Sequence, residues 1–473
     1  MDRRNFFRNM AATLGGGVLA EKLFADQPSP AAKRPNILFI FSDMQRAYSM
    51  GCYGDTNART PHLDRLASEG ARFDAAMSNT PVCCPHRASL MSGQYAHHHG
   101  MVTNGADFLP KVKCLAETFR DNGYTTGYAG KWHLDFPKEG GRTRRFGFPS
   151  EGDRYGDYSK TRDLAFAADK ALSFIAEQPA DKPWFFMLSW IPPHTPYKAS
   201  PGFADHFRNI AIPQNVPQGE PREYAAESLP DYYGMIEEID AACGRLFAAL
   251  EKNGADDTIV VFTSDHGDMI GSHGYEHKRW PYEESARVPF LIRYPRRIRA
   301  GQVLAAPIGT PDIYPTLAGL AGIPLPQGLD GCDYSGCITA DAPPPRDHVY
   351  LEMHYAYVPW PGWRAIRTKD YMYARTKDAP WLLYDIKNDP AQMKNLIDDA
   401  SKASLVRDMD ARLLAAMKET GDSWDITAKS GDIKKWAPGG SKQQGADLGY
   451  NWPGKTVTGD KKKKRRREAD DDE

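Results

Sequence analysis

The sequence predicts an α/β protein: a largely parallel central sheet flanked by helices, then a smaller C-terminal α+β subdomain with an antiparallel sheet. Three observations carry this. Four short runs, at 36–41, 123–128, 183–190 and 258–263, are largely apolar, as strands buried on both faces should be. Helical patterns lie between them, and strands alternating with helices read as a parallel sheet. After about residue 340 the texture changes to short aromatic-rich segments separated by turns, the pattern of an antiparallel sheet.

In chain order, Asp2-Arg3-Arg4-Asn5-Phe6-Phe7-Arg8 precedes a mildly apolar run to Ala20. Paired arginines before a weak hydrophobic segment read as a twin-arginine export signal over 1–25. Gly15, Gly16 and Gly17 suit that run poorly to a stable membrane helix. Residues 26–34 read as a polar linker, and 35–340 as the main domain. Its helical patterns fall at 60–69, 115–122, 161–177 and 232–253. Residues 341–346 contain three consecutive prolines and read as a linker. A subdomain over 346–430 follows, with strands at 349–353, 363–367 and 371–373 and a helix at 403–419. Residues 431–473 are polar, end in a basic run and then acids, and are expected to be a disordered, solvated tail.

Composition narrows the function classes. Sixty Lys and Arg against 61 Asp and Glu leave a formal net charge of −1, so no global bias toward nucleic acid or an acidic membrane exists. No later stretch is long and apolar enough for a membrane span. None of the seven cysteines forms a C-x-x-C pair, which removes the common metal-ribbon and redox motifs. Cys332 and Cys337 are close enough in sequence to cross-link, and equally read as two free thiols.

Ligands of open α/β sheets bind beyond the carboxyl ends of the strands. Each of the four runs delivers chemistry there: Ser42-Asp43, Gly130-Lys131-Trp132-His133, Pro192-Pro193-His194 and Ser264-Asp265-His266-Gly267. Paired carboxylates such as Asp43 and Asp265 would repel unless a cation lay between them. Oxygen-rich ligation suits Ca²⁺ or Mg²⁺, and the imidazole of His266 keeps Mn²⁺ open. Taken singly, each acid reads as a turn residue and each Lys or His as a surface residue; the convergence reverses that reading. Val82-Cys83-Cys84-Pro85-His86-Arg87-Ala88-Ser89-Leu90-Met91-Ser92-Gly93 adds a small nucleophile at a predicted helix N-terminus, where N–H groups favour an anion. His97, His98, His99, His273 and His277 are left as surface, supporting or pocket residues.

This C-x-P-x-R segment resembles the type I, formylglycine-dependent sulfatases of the alkaline phosphatase superfamily. So do Gly-Lys-Trp-His at 130–133, Pro-Pro-His-Thr-Pro-Tyr at 192–197 and the stretch from Asp265 to Lys278. Tyr282-Glu283-Glu284-Ser285-Ala286-Arg287-Val288-Pro289-Phe290 and Tyr384-Asp385-Ile386-Lys387-Asn388-Asp389-Pro390 resemble the exported bacterial enzymes that act on polysaccharides. The resemblance implies an alkaline-phosphatase-like fold and hydrolysis of sulfate esters on a sulfated polysaccharide or oligosaccharide. It implies that Cys83 is oxidised to formylglycine by a formylglycine-generating or sulfatase-maturing enzyme, with Arg87 as its stabiliser. Asp43, Asp265, His266 and residue 83 would hold one divalent cation, calcium first, with magnesium or manganese as alternatives. Lys131, His133, His194 and Lys278 would surround the sulfate, and Asn104 would contact substrate near the leaving group. Asp265 is the candidate base, and His194 or Lys278 the acid. A periplasmic or secreted location reached by the twin-arginine machinery follows, with no nucleic-acid partner.

One departure stands out. The family commonly has Asp or Gln after the first metal ligand, where this chain has Met44; Gln45 or a water is the expected replacement. Two alternatives remain at this point: a phosphonate monoester or phosphodiester hydrolase on the same scaffold, and a non-catalytic glycan-binding relative. His354, Tyr355, Trp360, Trp363 and Arg364 would line a sugar subsite or, equally, pack the C-terminal sheet.

Overall fold

A computed structural model describes residues 33–134, 146–148, 156–157, 161–252, 254–355 and 361–424. The export-signal segment 1–25, the tail 431–473 and Trp360 lie outside the described residues. Fourteen strands are described: β1 (Asn36–Asp43), β2 (Ala71–Phe73), β3 (Ala76–Met77), β4 (Thr125–Gly130), β5 (Gly156–Asp157), β6 (Trp184–Pro193), β7 (Thr258–Ser264), β8 (Phe290–Arg293), β9 (Gln302–Leu304), β10 (Ile308–Gly309), β11 (His348–Tyr355), β12 (Pro361–Thr368), β13 (Tyr371–Thr376) and β14 (Pro380–Asp385).

The central sheet has eight strands in the order β5-β4-β6-β1-β7-β8-β2-β9. Strands β4, β6, β1 and β7 are the four expected runs, and they lie side by side and parallel. The short strands β8, β2 and β9, absent from the sequence expectation, extend the sheet through two antiparallel pairings. The apolar runs have a simple cause. Ile37, Phe39 and Phe41 pack on one face with Phe185, Met187 and Val261. Leu38 and Ile40 pack on the other with Phe186, Leu188 and Phe262. Burying each such side chain stabilises the fold by roughly 1.5–3 kcal/mol.

The helix expected at 232–253 begins twelve residues earlier, spanning Glu220–Lys252. Pro230 lies inside it, and its missing N–H reads from sequence as a boundary. Tertiary burial overrides that signal: Ala225 and Leu229 share a core with Tyr232, Ile236, Phe207 and Ile270.

The C-terminal sheet runs β11-β12-β13-β14, one strand more than expected. One face packs on the Ala403–Glu419 helix through Ile366, Tyr373, Leu383, Met409 and Leu413. The other face, with Leu351, Met353, Trp363 and Ala365, packs on Met77, Val82, Met269 and Trp280. His354, Trp363 and Arg364 are buried, so for these three the sugar-subsite reading gives way to sheet packing. Arg364 pairs with Asp422 at 2.5 Å and lies over Trp424. The cysteines are free thiols, Cys332 and Cys337 included.

A buried network ties this sheet to the Ala96–His99 turn. Glu352 Oε2 meets His97 Nδ1 at 2.8 Å and His354 Nε2 at 2.9 Å. Burial alone would lower His97, but Glu352 carries it from 6.5 to about 9. A raised folded value means stability present below pH 6.5 and lost as pH rises through about 9. Wild-type thermal stability is therefore expected to fall more steeply between about pH 6.5 and about 9 than that of Glu352→Gln. The variant should already be less stable at pH 7, by about 3 kcal/mol as for other broken buried pairs. Parallel alkaline limbs in thermal scans would refute the assignment.

Candidate active site

The parallel register brings the four strand ends together. Ser42 pairs with Ser264, Asp43 with Pro193, and Gly130 with Ser189. Asp43, Asp265-His266, His194 and Lys131 therefore leave one edge of the sheet. Cys83 is the first residue of the Cys83–Ser92 helix, which is buried along its whole length. Cys83 Sγ lies 3.2 Å from His266 Nε2, 3.6 Å from Lys278 Nζ and 3.8 Å from Asp43 Oδ1. Lys278 Nζ lies 3.2 Å from His194 Nε2. Residues from five segments of the chain thus converge on one sulfur.

Arg87 is the brace behind it. Nε and Nη2 donate to Asp265 Oδ2 at 3.1 and 2.9 Å, and Nη2 also donates to Asp43 Oδ2 at 3.0 Å. Nη1 donates to the Lys131 carbonyl and to Ser189 Oγ, both at 2.7 Å. All five guanidinium donors are used. Lys131 Nζ pairs with Asp43 Oδ2 at 3.0 Å, so part of its charge is already balanced.

Asp43, Cys83, Asp265 and His266 each offer a donor atom within 4.8 Å of the others. Arg87 takes the Oδ2 atoms, leaving both Oδ1 atoms 3.6–3.7 Å from His266 Nε2. His266 Nδ1 sits 2.8 Å from the Gly267 carbonyl, a bond it makes as donor, so Nε2 faces the centre; burial would lower this imidazole, but Asp265 and the Cys83 sulfur raise it, and a cation bound at Nε2 would take the place of that proton. Burial and neighbouring Asp43 push Asp265 up to about 6, a strain that a cation between the acids would relieve. Burial and then the Cys83 sulfur would raise Asp43 too, but Lys131 and Arg87 carry it low. This donor set fits a divalent cation. Met44 is buried with φ 67°; its N–H donates to Asp265 Oδ1 at 3.2 Å and its sulfur lies 4.0 Å from Lys278 Nζ. Gln45 Oε1 accepts from Ser42 Oγ at 2.8 Å.

The electrostatics suit a negative centre at residue 83. Burial would raise the Cys83 thiol, but Lys278, Lys131 and His266 hold it well below its ordinary value. Burial and then Lys278 lower His194, so its imidazole is neutral. His194 Nδ1 sits 2.8 Å from the Thr195 carbonyl, which leaves Nε2 as the acceptor facing Lys278. His133 has φ 56° and interacts with the Cys83 and Cys84 sulfurs. Asn104 Oδ1 accepts from the Cys84 N–H at 3.1 Å, so it caps the helix start.

Some contributors had no signal in the sequence. Ser189 is a small residue inside an apolar strand. Arg162 donates to the carbonyls of His194, Thr195 and Pro196, thirty-odd residues away in an unremarkable segment. Among the described residues a second convergent group, His97, Glu352 and Asp422, is the closed network described above, with Arg364 and Tyr350 bound to Asp422.

Residues 35–323 match the Sulfatase family model, and 271–419 match the C-terminal model of N-sulphoglucosamine sulphohydrolase. An ulvan-active sulfatase of Formosa agariphila is 35% identical over 435 residues, covering 84% of this chain and 83% of that protein. An N-acetylglucosamine-6-O-sulfatase of Bacteroides thetaiotaomicron is 26% identical, covering 84% of this chain and 89% of its own length. The crystal structure of the Bacteroides fragilis yidJ sulfatase superposes with a TM-score of 0.74 at 28% identity, covering 84% and 98% of the two chains.

Proposed function

The chain belongs to the sulfatase family and is a sulfuric ester hydrolase, and from that premise we propose that it removes sulfate from a sulfated polysaccharide or oligosaccharide by way of formylglycine at position 83. The observation that carries the reading is Cys83 at a helix N-terminus, with His266 Nε2 at 3.2 Å and Lys278 Nζ at 3.6 Å.

Asp43, Asp265, His266 and residue 83 would hold the cation, with calcium favoured by the carboxylate oxygens. When bound, that ion supplies charge stabilisation and orients the nucleophile, and hydrated formylglycine supplies the attacking hydroxyl. The chain's own residues do the rest. Arg87 fixes the Oδ2 atoms of both acids so that the Oδ1 atoms face the centre. Lys131 and Lys278 flank the sulfate oxygens. As the S–O bond to the alcohol breaks, the departing oxygen takes a proton from the Lys278 ammonium. His194 keeps that ammonium in place by accepting its hydrogen bond at Nε2, which supports Lys278 rather than His194 as the donor. His133, beside residue 83, assists sulfate release. Asn104 orders the helix start and so acts on substrate indirectly.

The reading includes export of the chain by its twin-arginine segment to the periplasm or beyond, and a separate enzyme that matures Cys83. Ulvan fragments and 6-O-sulfated N-acetylglucosamine oligosaccharides, named by the relatives, are the first substrates to test. Inorganic sulfate release by mature, calcium-loaded protein is expected from one of these classes. Turnover of an aryl phosphodiester is expected to be at least about 100-fold slower than that of an aryl sulfate, since a leading activity has the better-matched transition state. The reverse preference would make it a phosphodiester hydrolase. Glycan binding with no sulfate release by fully mature protein would make it a binding relative.

A further inference from the structure

Lys278 is presented by a turn that the backbone does not adopt readily. His277 before it has φ 58° and Arg279 after it has φ 79°. Both are non-glycine residues in the left-handed region, which a Cβ atom disfavours by crowding the following carbonyl oxygen. Lys278 is buried between them. Such a conformation persists only where its surroundings over-determine it.

The surroundings do so through backbone anchors. Met269 N–H donates to the His277 carbonyl at 2.6 Å, and Arg279 N–H donates to the Pro81 carbonyl at 3.2 Å. Trp280 N–H donates to Ser285 Oγ at 3.2 Å. A further anchor comes from the C-terminal sheet: Trp363 Nε1 on β12 donates to the Arg279 carbonyl at 2.9 Å. Trp363 is 1% exposed and packs with Val82, Met269 and Trp280, the immediate neighbours of Cys83 and of the lysine turn. It reaches neither Cys83 nor Lys278 by any hydrogen bond described above. Its indole N–H holds the carbonyl next to the lysine, and its ring belongs to the same core cluster as Val82, the residue before the nucleophile.

We propose that Trp363 is a positioning residue of the active site: through the Arg279 carbonyl it holds the left-handed turn that aims Lys278 Nζ at residue 83 and the leaving-group oxygen. The C-terminal sheet thereby sets the geometry of proton delivery in the main domain. The proposal rests on Lys278 as the proton donor of the preceding section.

The test is leaving-group dependence in mature, metal-loaded protein. An alcohol leaving group needs the proton, and a nitrophenol needs it far less. Trp363→Phe keeps an aromatic ring in the core and removes the donor. Its kcat on a sugar sulfate is expected to fall about 10–100-fold, less than the roughly 10²–10⁴-fold that a positioned acid itself supplies, and its kcat on 4-nitrophenyl sulfate less than about threefold. In a Lys278→Ala background the added effect of Trp363→Phe should vanish, as for coupled residues. Arg279→Val disturbs the same turn from within, because a branched side chain resists φ 79°; it should give the same selective loss, and it carries the test if Trp363→Phe does not fold. Equal losses on both substrates, or a loss that adds to that of Lys278→Ala, would overturn the proposal. Lys278→Ala without leaving-group dependence would instead remove the acid assignment on which it rests. Lys278→Ala with dependence but Trp363→Phe and Arg279→Val without it would reject the positioning role alone.

Discussion

Cys83→Ala is expected to abolish sulfate-ester hydrolysis, lowering kcat by about 10⁴-fold or more, the scale seen when a nucleophile is removed from a site that acts as a unit. Binding should persist. Lys131, His194 and Lys278 remain, and inorganic sulfate should still raise the thermal midpoint through ligand linkage. Folding should change little, because the helix from residue 83 is closed by Asn104 at its start and by Gly93, at φ 64°, at its end. The companion measurement is mass spectrometry of the peptide containing residue 83. Active protein should carry an aldehyde oxygen in place of the sulfur. Full activity from protein whose Cys83 is an unmodified thiol would end the formylglycine reading, whatever the substrate proves to be.

Arg87→Ala should be the most damaging substitution for stability. The guanidinium is 1% exposed and spends its donors on Asp43, Asp265, Ser189 and the Lys131 carbonyl. Removing it leaves two buried carboxylates without their shared partner, and breaking a buried pair from one side typically destabilises by 3–5 kcal/mol, about the figure expected here. Arg87→Lys keeps the charge but offers three rotating donors in place of a planar fork. It should recover part of the stability and little of the activity, since it cannot hold both Oδ2 atoms. Added calcium should offset the loss partly, because a cation between Asp43 and Asp265 relieves the same repulsion. Denaturant unfolding with and without calcium measures both effects. Inorganic sulfate affinity should fall less in a folded Arg87→Lys variant than in Lys278→Ala. If Arg87→Lys loses sulfate binding as fully as Lys278→Ala at unchanged stability, Arg87 faces the anion and the brace reading fails.

Much of this site could be read along the chain. Asp43, Lys131, His194 and Asp265 each follow an apolar run, and a run buried on both faces in a parallel sheet must end at the ligand-binding edge. The C-x-P-x-R spacing placed Cys83 and Arg87 on one helix start. Other features were illegible for identifiable reasons. Pro230 hid the first three turns of the Glu220–Lys252 helix, because the burial of Ala225 and Leu229 that outweighs it is tertiary. Strands β8, β2 and β9 are three or four residues long, too short for a period to show. His97 was one of five histidines left among surface, supporting and pocket roles until Glu352, 255 residues away, met it.

The sequence by itself determined the α/β class, the four parallel strands, the residues that reach their ends and the family to which the chain belongs. These follow from near-neighbour physics: side-chain period, helix starts and contiguous motifs. Only the tertiary structure decided which charges meet. Arg87 and Asp265 are 178 residues apart, Cys83 and Lys278 are 195 apart, and β1/β7 register alone sets Asp43 beside Asp265. That is why Arg87 became a brace for two acids, why Lys131 was claimed by Asp43, and why Trp363 entered the core beside the lysine turn. A long-range partner leaves no mark on the local pattern of either residue; it exists only once strand pairing and packing have brought the two into contact.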